Sequence, residues 1–219
     1  MRRHLIAAIA AVATLTFVAG AAAALDPGVY DPGSTGCVKA IYTKSTKTLR
    51  LEKNCITSTN AAAGAELTGF NGATFTSAEF TLANTTQCQG GSPRWIIITS
   101  TAFYPVGCNN VIPTVNADGT ATYVFTAATL AAAGQQVPTP TGTISYVGIL
   151  LDVQGVADLT NIKFNGVAQK ALTSNGKGVV SSCANGAWKT FTNPTFKNQG
   201  QCVKYLVHSR NAARKAAHG

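Results

Sequence analysis

The spacing of the cysteines constrains the fold of this chain more than any other feature. The six cysteines fall into three successive pairs, and each pair encloses roughly twenty residues, a loop length at which a bridge contributes about 3 kcal/mol. Many connectivities are formally possible. Each pair brackets one supersecondary unit, and a hairpin brings the first two cysteines opposite each other. We therefore predict local disulfides: Cys37 with Cys55, Cys88 with Cys108, and Cys183 with Cys202.

The N-terminus predicts export, which is the setting in which such disulfides form. Residues 2–4 are basic, residues 5–20 are apolar, and residues 21–24 are alanines that suit signal-peptide cleavage. We interpret residues 1–24 as a signal peptide and place the mature N-terminus near Leu25. The alternative is an uncleaved anchor, but the apolar run is short for a membrane span of about 20 residues. We expect a secreted, extracellular protein without a transmembrane segment after signal removal.

Segments rich in β-branched residues alternate with turn residues and predict an all-β protein. Strand spacing of roughly ten residues favours an antiparallel, jelly-roll-like β-sandwich, and the missing crossover helices argue against a parallel α/β fold. One short helix is expected between Thr126 and Gly134. We predict an irregular arm at residues 26–33 and loops at 60–64 and 155–159. The predicted strands cover residues 37–42, 48–53, 74–82, 94–99, 120–125, 144–153 and 160–164.

Composition divides the chain into domains. Residues 25–172 form the predicted sandwich, and a Gly/Asn/Ser linker at 174–178 separates it from the C-terminal part of the chain. Residues 173–203 form a small Cys/Trp-rich unit that needs its own disulfide to be stable. Residues 204–219 form a basic tail.

Histidine is almost missing from the chain, and this argues against most catalytic chemistry. The three histidines are His4, in the signal peptide, and His208 and His218, in the tail. A serine- or cysteine-based nucleophile would have to recruit His208. We therefore predict no catalytic residues, no enzyme activity and no cofactor.

Carboxylates are the remaining candidates for catalysis or metal binding. Two of them could hydrolyse a glycoside, and the candidates are Glu52, Glu66, Glu79, Asp118, Asp152 and Asp158. Asp152 and Asp158 flank a predicted loop and are weak candidates for a Ca²⁺ site. Ordinary turn and surface carboxylates are the interpretation we favour, and we predict that Asp118 caps its own Ala-Asp-Gly turn. The cysteines lack metal-binding spacing, so no metal site is expected among them.

Aromatic residues and net charge bear on partners. We predict Trp95 in the core, whereas Trp188 and Phe191 are candidate ligand-binding residues because their small unit offers little room to bury them. The net charge of +9 favours weak attraction to polysaccharide or to an anionic cell-envelope polymer. Basic residues are not interleaved with aromatics, so nucleic acid is not an expected partner.

Two parts of the chain resemble known protein groups. Residues 60–65, 88–95 and 158–166 resemble uncharacterised secreted bacterial proteins, mainly actinobacterial. That resemblance implies a jelly-roll sandwich similar to galactose-binding-like and carbohydrate-binding modules. Residues 183–203, with their Cys-Trp-Phe-Asn-Gln-Gly-x-Cys pattern, resemble a C-terminal tag of exported bacterial proteins, which implies no activity.

The function expected from these observations is that of a secreted, non-catalytic binding protein for extracellular or cell-envelope carbohydrate. The carbohydrate part rests on analogy of fold. The first alternative is a structural or interaction protein of the envelope, with the Cys183–Cys202 unit as its docking element. The second is a carboxylate-based glycosidase.

Overall fold

The structure, a computed structural model, describes residues 24–132 and 137–171, together with the single positions 195 and 197. Within these residues two mostly antiparallel sheets pack face to face, which confirms the predicted all-β sandwich. One short helix, α1 (Ala127–Ala132), is present where it was predicted. In the described part of the chain, no helix is long and apolar enough to cross a membrane.

The strands follow each other along the chain in a simple order. They are β1 (Ala24–Tyr30), β2 (Val38–Thr43), β3 (Thr48–Lys53), β4 (Ala62–Thr68), β5 (Ala78–Leu82), β6 (Arg94–Thr99), β7 (Phe103–Gly107), β8 (Thr114–Val115), β9 (Ala121–Phe125), β10 (Ile144–Leu151), β11 (Gly155–Phe164), β12 (Val167–Ala168) and β13 (Lys170–Ala171). Among the described residues, sheet A has the order β13-β1-β4-β10-β6-β7. Sheet B has the order β2-β3-β11-β5-β9-β8, with β12 paired to β11.

The core lies between the two sheets and is rich in aromatic rings. Phe80 lies at its centre, with ring centroids 5.5 Å from Tyr123, 5.4 Å from Phe125 and 6.0 Å from Trp95. Offset and tilted ring pairs at these distances stabilise a core beyond simple area burial. Trp95 is fully buried, so its predicted core position is confirmed.

The predicted irregular arm at residues 26–33 is wrong in its first half. Residues 24–30 form strand β1, which pairs along its whole length with β4. Pro27 is compatible with this strand because the neighbour on the other side, β13, pairs only with Ala24 and Leu25. A proline without an N–H is tolerated where no ladder partner is needed. The turn after the strand is present, and Asp31 accepts a hydrogen bond from the Thr35 amide at 3.0 Å.

The predicted loops at 60–64 and 155–159 are also wrong, because both regions contribute to strands. Residues 62–64 begin β4, and residues 155–159 form the first half of β11. At Gly64 an added Cβ would lie 2.6 Å from the Ile149 carbonyl oxygen, so the close approach of β10 requires a small residue there. Small residues favour a loop when only the local sequence is considered, but here they allow neighbouring strands to pack closely.

Two of the three predicted disulfides lie within the described residues, and both are confirmed. Cys37–Cys55 closes the β2–β3 hairpin with a Cα–Cα distance of 5.5 Å. Cys88–Cys108 joins the segment before β6 to the end of β7 with a Cα–Cα distance of 5.8 Å. The third predicted pair, Cys183 with Cys202, lies outside the described residues, as do the predicted C-terminal unit and basic tail.

A fully buried lysine joins the two sheets at one end of the sandwich. The ammonium of Lys53, at the end of β3, donates to the carbonyls of Thr57 (3.1 Å), Thr59 (2.8 Å) and Asp152 (2.9 Å). Thr57 and Thr59 belong to the crossover from β3 to β4, and Asp152 begins the crossover from β10 to β11. Buried charges persist only where such hydrogen bonds replace water. Lys53 therefore fixes both crossovers at once.

A buried ion pair lies next to this lysine. Arg94 donates to the Asp152 carboxylate at 3.0 Å, and both side chains are nearly inaccessible to water. The Ser92 hydroxyl accepts from the Asp152 amide at 3.2 Å and donates to the Leu150 carbonyl, also at 3.2 Å. Asp152 is thus held at the start of the crossover through contacts to β6 and to the turn before it.

Removal of the Cys88–Cys108 bridge tests its contribution to stability. The two cysteines are 20 residues apart, and closing a loop of that length stabilises a fold by about 3 kcal/mol in the chain-entropy model. We expect the Cys88→Ala/Cys108→Ala variant to lose about that free energy of unfolding in guanidinium titration. An unchanged unfolding midpoint would contradict this expectation.

Breaking the Arg94–Asp152 pair tests the buried network. Arg94→Met leaves a buried carboxylate without its arginine, and such losses cost about 3–5 kcal/mol. The double variant Arg94→Met/Asp152→Asn removes both charges, so we expect it to lose less stability than the two single variants added together. Denaturant titration of all four proteins measures the coupling, and strict additivity would show that the pair does not act as a unit.

Tyr123 makes the stability of the fold depend on pH at alkaline values. Burial raises the pKa of Tyr123 above its ordinary value. The folded state holds this proton more tightly than the unfolded chain, so its stabilising effect is full below about pH 10 and is lost as pH rises through the folded-state pKa. We expect absorbance titration at 295 nm to show a late phenolate component that the Tyr123→Phe variant lacks. A native protein whose tyrosines all ionise at their ordinary pH would contradict it.

Candidate functional site

The outward side of sheet B is a broad surface of hydrogen-bonding side chains, which we call the polar face. It arises from alternation along the strands, which a register shift interrupts in β11 between Thr160 and Lys163. In β3, for example, Leu49 and Leu51 are buried while Arg50 is exposed. The same alternation along β2, β11, β5 and β9 places charged and hydroxyl side chains outward. The outward residues are Lys39, Ile41, Thr43, Thr48, Arg50, Glu52, Val156, Asp158, Thr160, Lys163, Glu79, Thr81, Thr122 and Val124.

Arg50, Asp158 and Gln87 form a hydrogen-bonded cluster on this face. Arg50 Nη1 lies 3.0 Å from both carboxylate oxygens of Asp158, which pairs with it across the β3–β11 ladder. The Gln87 side chain donates to Asp158 Oδ2 at 3.2 Å and accepts from the Asp158 amide at 3.0 Å. Gln87 ends a short 3-10 helix, Thr85–Gln87, directly before Cys88. The cluster is therefore anchored by a strand ladder and by the segment that the second disulfide holds.

Charges of opposite sign alternate around this cluster. Glu52 lies 3.7 Å from the Arg50 guanidinium and 3.8 Å from the Lys39 ammonium. Further along the face, Lys163 contacts Glu79 at 2.9 Å. Solvent-exposed pairs of this kind contribute little to stability. They nevertheless place opposite charges next to each other, so the charges along this part of the face largely compensate.

A row of threonines crosses the same face. Thr43 pairs with Thr48, Thr160 with Thr81, and both Thr81 and Thr114 flank Thr122. The hydroxyls of Thr81 and Thr122 are 3.0 Å apart, and Asn116 donates to the Thr122 hydroxyl at 3.0 Å. Neighbouring strands are about 4.8 Å apart, so the threonines are regularly spaced. Thr81 is nevertheless only 3% exposed, and its hydroxyl accepts from the Asn161 side chain at 3.5 Å.

Asp152 and Asp158 occupy different places. Asp152 is buried against Arg94 of sheet A, whereas Asp158 belongs to the polar face and binds Arg50. A Ca²⁺ ion shared by the two would require both arginine contacts to break. Across residues 24–132 and 137–171, no group of three or more His, Cys, Asp or Glu side chains is placed to hold a metal ion. Trp188 and Phe191, the candidate ligand-binding aromatics, lie outside the described residues.

Two other carboxylates, Asp118 and Asp31, accept hydrogen bonds within turns. Asp118 accepts from the hydroxyl and the amide of Thr120, at 2.6 and 3.0 Å, which confirms its predicted capping role. These hydrogen bonds, with the Thr120 side chain first, lower the pKa of Asp118. The backbone amide of Thr35 is the main cause that lowers the pKa of Asp31, another exposed turn residue. Neither carboxylate is placed for acid–base chemistry at the polar face.

Arg50 and Gln87 are functional candidates that sequence reasoning did not identify. The sequence does carry a signal for Arg50, because it alternates with two leucines in a predicted strand and must face outward. Gln87 gives no such signal, since its role depends on a contact with Asp158, 71 residues away in sequence. The position of Asp158 in a strand was hidden by the wrongly predicted loop at 155–159.

Comparison with known protein families, with curated proteins and with solved structures finds no match for this chain. Its function is therefore inferred from its own residues.

Proposed function

We propose that this protein is an exported, non-catalytic binding protein that holds extracellular or cell-envelope carbohydrate on the polar face of sheet B. The observation that carries the proposal is the Arg50–Asp158–Gln87 cluster. Its three side chains present guanidinium, carboxylate and amide groups side by side, fixed by hydrogen bonds of 3.0–3.2 Å. Such planar groups match the paired donors and acceptors of neighbouring sugar hydroxyls.

Preorganisation supports binding rather than a purely structural role for these residues. Both ends of the cluster are fixed, because Arg50 and Asp158 lie on paired strands and Gln87 is next to a disulfide-bonded cysteine. A ligand that binds to fixed side chains loses less affinity to the ordering of those side chains. The accessible threonines of the row extend the hydrogen-bonding surface across the sheet on both sides of the buried Thr81, which suits an extended polymer better than a small molecule.

The charge pattern of the face favours a neutral or weakly charged ligand. Lys39, Arg50 and Lys163 each lie within 4 Å of a carboxylate, so the charges of the surface are largely compensated. A strongly anionic polymer would be attracted by the chain as a whole rather than by this face. Among the described residues there is no histidine, and the carboxylates of the face contact cations, which supports binding without catalysis.

Polysaccharide retention tests the proposal. The mature chain from residue 25 is incubated with chitin, cellulose, xylan, arabinogalactan and purified peptidoglycan in about 0.5 M salt, which screens general charge attraction. We expect retention on at least one polymer, and we expect Arg50→Ala to weaken it about tenfold, because a hydrogen bond to a charged group contributes about 1.5–3 kcal/mol.

Lys44→Ala is the matched control, since it removes the same charge from the exposed β2–β3 turn. Its retention should equal that of the unchanged protein. Equal losses in the two variants would assign the retention to net charge, and no retention on any polymer would overturn the proposal in favour of a structural or interaction role in the envelope.

A further inference from the structure

The outward side of sheet A, which we call face A, is buried although it points away from the core. Ile96 and Ile98 alternate with the core residues Trp95 and Ile97 in β6, yet they are only 9% and 2% exposed. At the opposite side of the same face, Ala24 and Ala62 are 7% and 3% exposed. The polar face shows the contrary behaviour, because most of its outward residues remain accessible.

Face A is also different in chemistry. One row across the sheet runs through Asp26, Glu66, Gly148, Ile96 and Pro105, each paired with the next. The neighbouring row places Ile98 between two aromatic residues, Tyr146 and Phe103. The Tyr146 side chain lies over Gly148, since an added Cβ there would be 2.5 Å from the tyrosine oxygen. Arg94 lies on the same face, between Leu150 and Gly107. The face is therefore mostly apolar, with Arg94 and two carboxylates as its charged residues.

Within the described residues, the helix α1 contacts β9 and the 3-10 helix at Thr85–Gln87 contacts β11, and both strands belong to sheet B. A second 3-10 helix, Cys108–Asn110, follows β7 at the edge of sheet A. Side chains such as Tyr146 cover part of face A, and apolar residues as little exposed as Ile96 and Ile98 are in contact with neighbouring elements.

The chain itself contains a candidate partner for face A. Its last described strand, β13 (Lys170–Ala171), runs parallel to β1 beside Ala24 and Leu25, at the side of face A where the carboxylates lie. The 48 residues from 172 to 219 contain seven Lys and Arg residues and no Asp or Glu. They also contain four aromatic residues: Trp188, Phe191, Phe196 and Tyr205. We propose that this C-terminal segment docks on face A, with its aromatic residues on the apolar surface and its lysines beside Asp26 and Glu66.

Charge supports this occupant over a second copy of the sandwich. Asp26 and Glu66 lie directly opposite each other across the β1–β4 ladder, and the charged side chains of the segment are all cations. The segment is therefore complementary in charge to this side of face A. The contact lies on the sheet opposite the polar face, so it is independent of the proposed carbohydrate site.

Zero-length carbodiimide cross-linking of the full mature chain tests the docking. It joins carboxylates only to amines in direct contact, and peptide mass spectrometry locates each link. We expect links from Asp26 and Glu66 to lysines between residues 172 and 219. The Glu79–Lys163 pair, 2.9 Å apart, is the internal positive control, and a mixture of ¹⁴N- and ¹⁵N-labelled chains separates links within one chain from links between two.

Matched variants make the outcome specific. Glu66→Gln should remove its link to the segment and leave the Glu79–Lys163 link intact, and Glu52→Gln on the polar face should change neither. Formation of the control link without any link from Asp26 or Glu66 to the segment would overturn the proposal. Links found only between differently labelled chains would also overturn it, and would assign face A to a second copy.

Discussion

The buried ammonium of Lys53 is the contact on which the arrangement of the two sheets depends. The chain passes between the sheets beside it twice, once from β3 to β4 and once from β10 to β11, and Lys53 donates to carbonyls in both crossovers. A hydrophobic core alone does not specify how two sheets are aligned, because apolar contacts are not directional. Three hydrogen bonds from one buried charge are directional, and a shifted crossover would leave that charge unsatisfied. The Cys37–Cys55 bridge, two residues further along the chain, holds the same corner covalently.

Once the sheets are aligned, their two outward sides differ in chemistry. Sheet B alternates buried leucine and phenylalanine with Arg50, Asp158, Glu79 and threonine, and so presents a polar surface to solvent. Sheet A alternates core residues mostly with isoleucine, glycine and alanine, and its charged outward residues are Asp26, Glu66 and Arg94. The two proposals follow this difference, because the polar side is proposed to bind a ligand and the more apolar side is proposed to contact another part of the same chain.

The elements that were predicted correctly are those that short sequence patterns specify. The β2–β3 hairpin, β6 and the helix α1 follow from β-branched runs, turn residues and a capping threonine, and two disulfides follow from their spacing. β1, β4 and the first half of β11 were missed because Pro27, Gly64 and Gly155 signal loops when only neighbours in sequence are considered. In the fold Pro27 occupies a strand because β13 pairs only with Ala24 and Leu25, and Gly64 does so because β10 approaches closely. Gly155 begins β11 with a φ of 147°, which L side chains rarely adopt. The candidate site was also missed, because its three residues, at positions 50, 87 and 158, are far apart in sequence and meet only in the folded chain.

The near absence of histidine affects how the charge of the polar face responds to pH. Histidine is the side chain whose ordinary pKa lets its charge change between about pH 5 and 8, and the described residues contain none. The proposed recognition on the polar face would then depend on fixed geometry rather than on a group that gains or loses a proton near neutrality. Strand ladders hold Arg50 and Asp158, and a disulfide-bonded segment holds Gln87, so this part of the surface is built without long loops. A surface whose charges come from arginine and carboxylates, without histidine, keeps its charge between about pH 5 and 8.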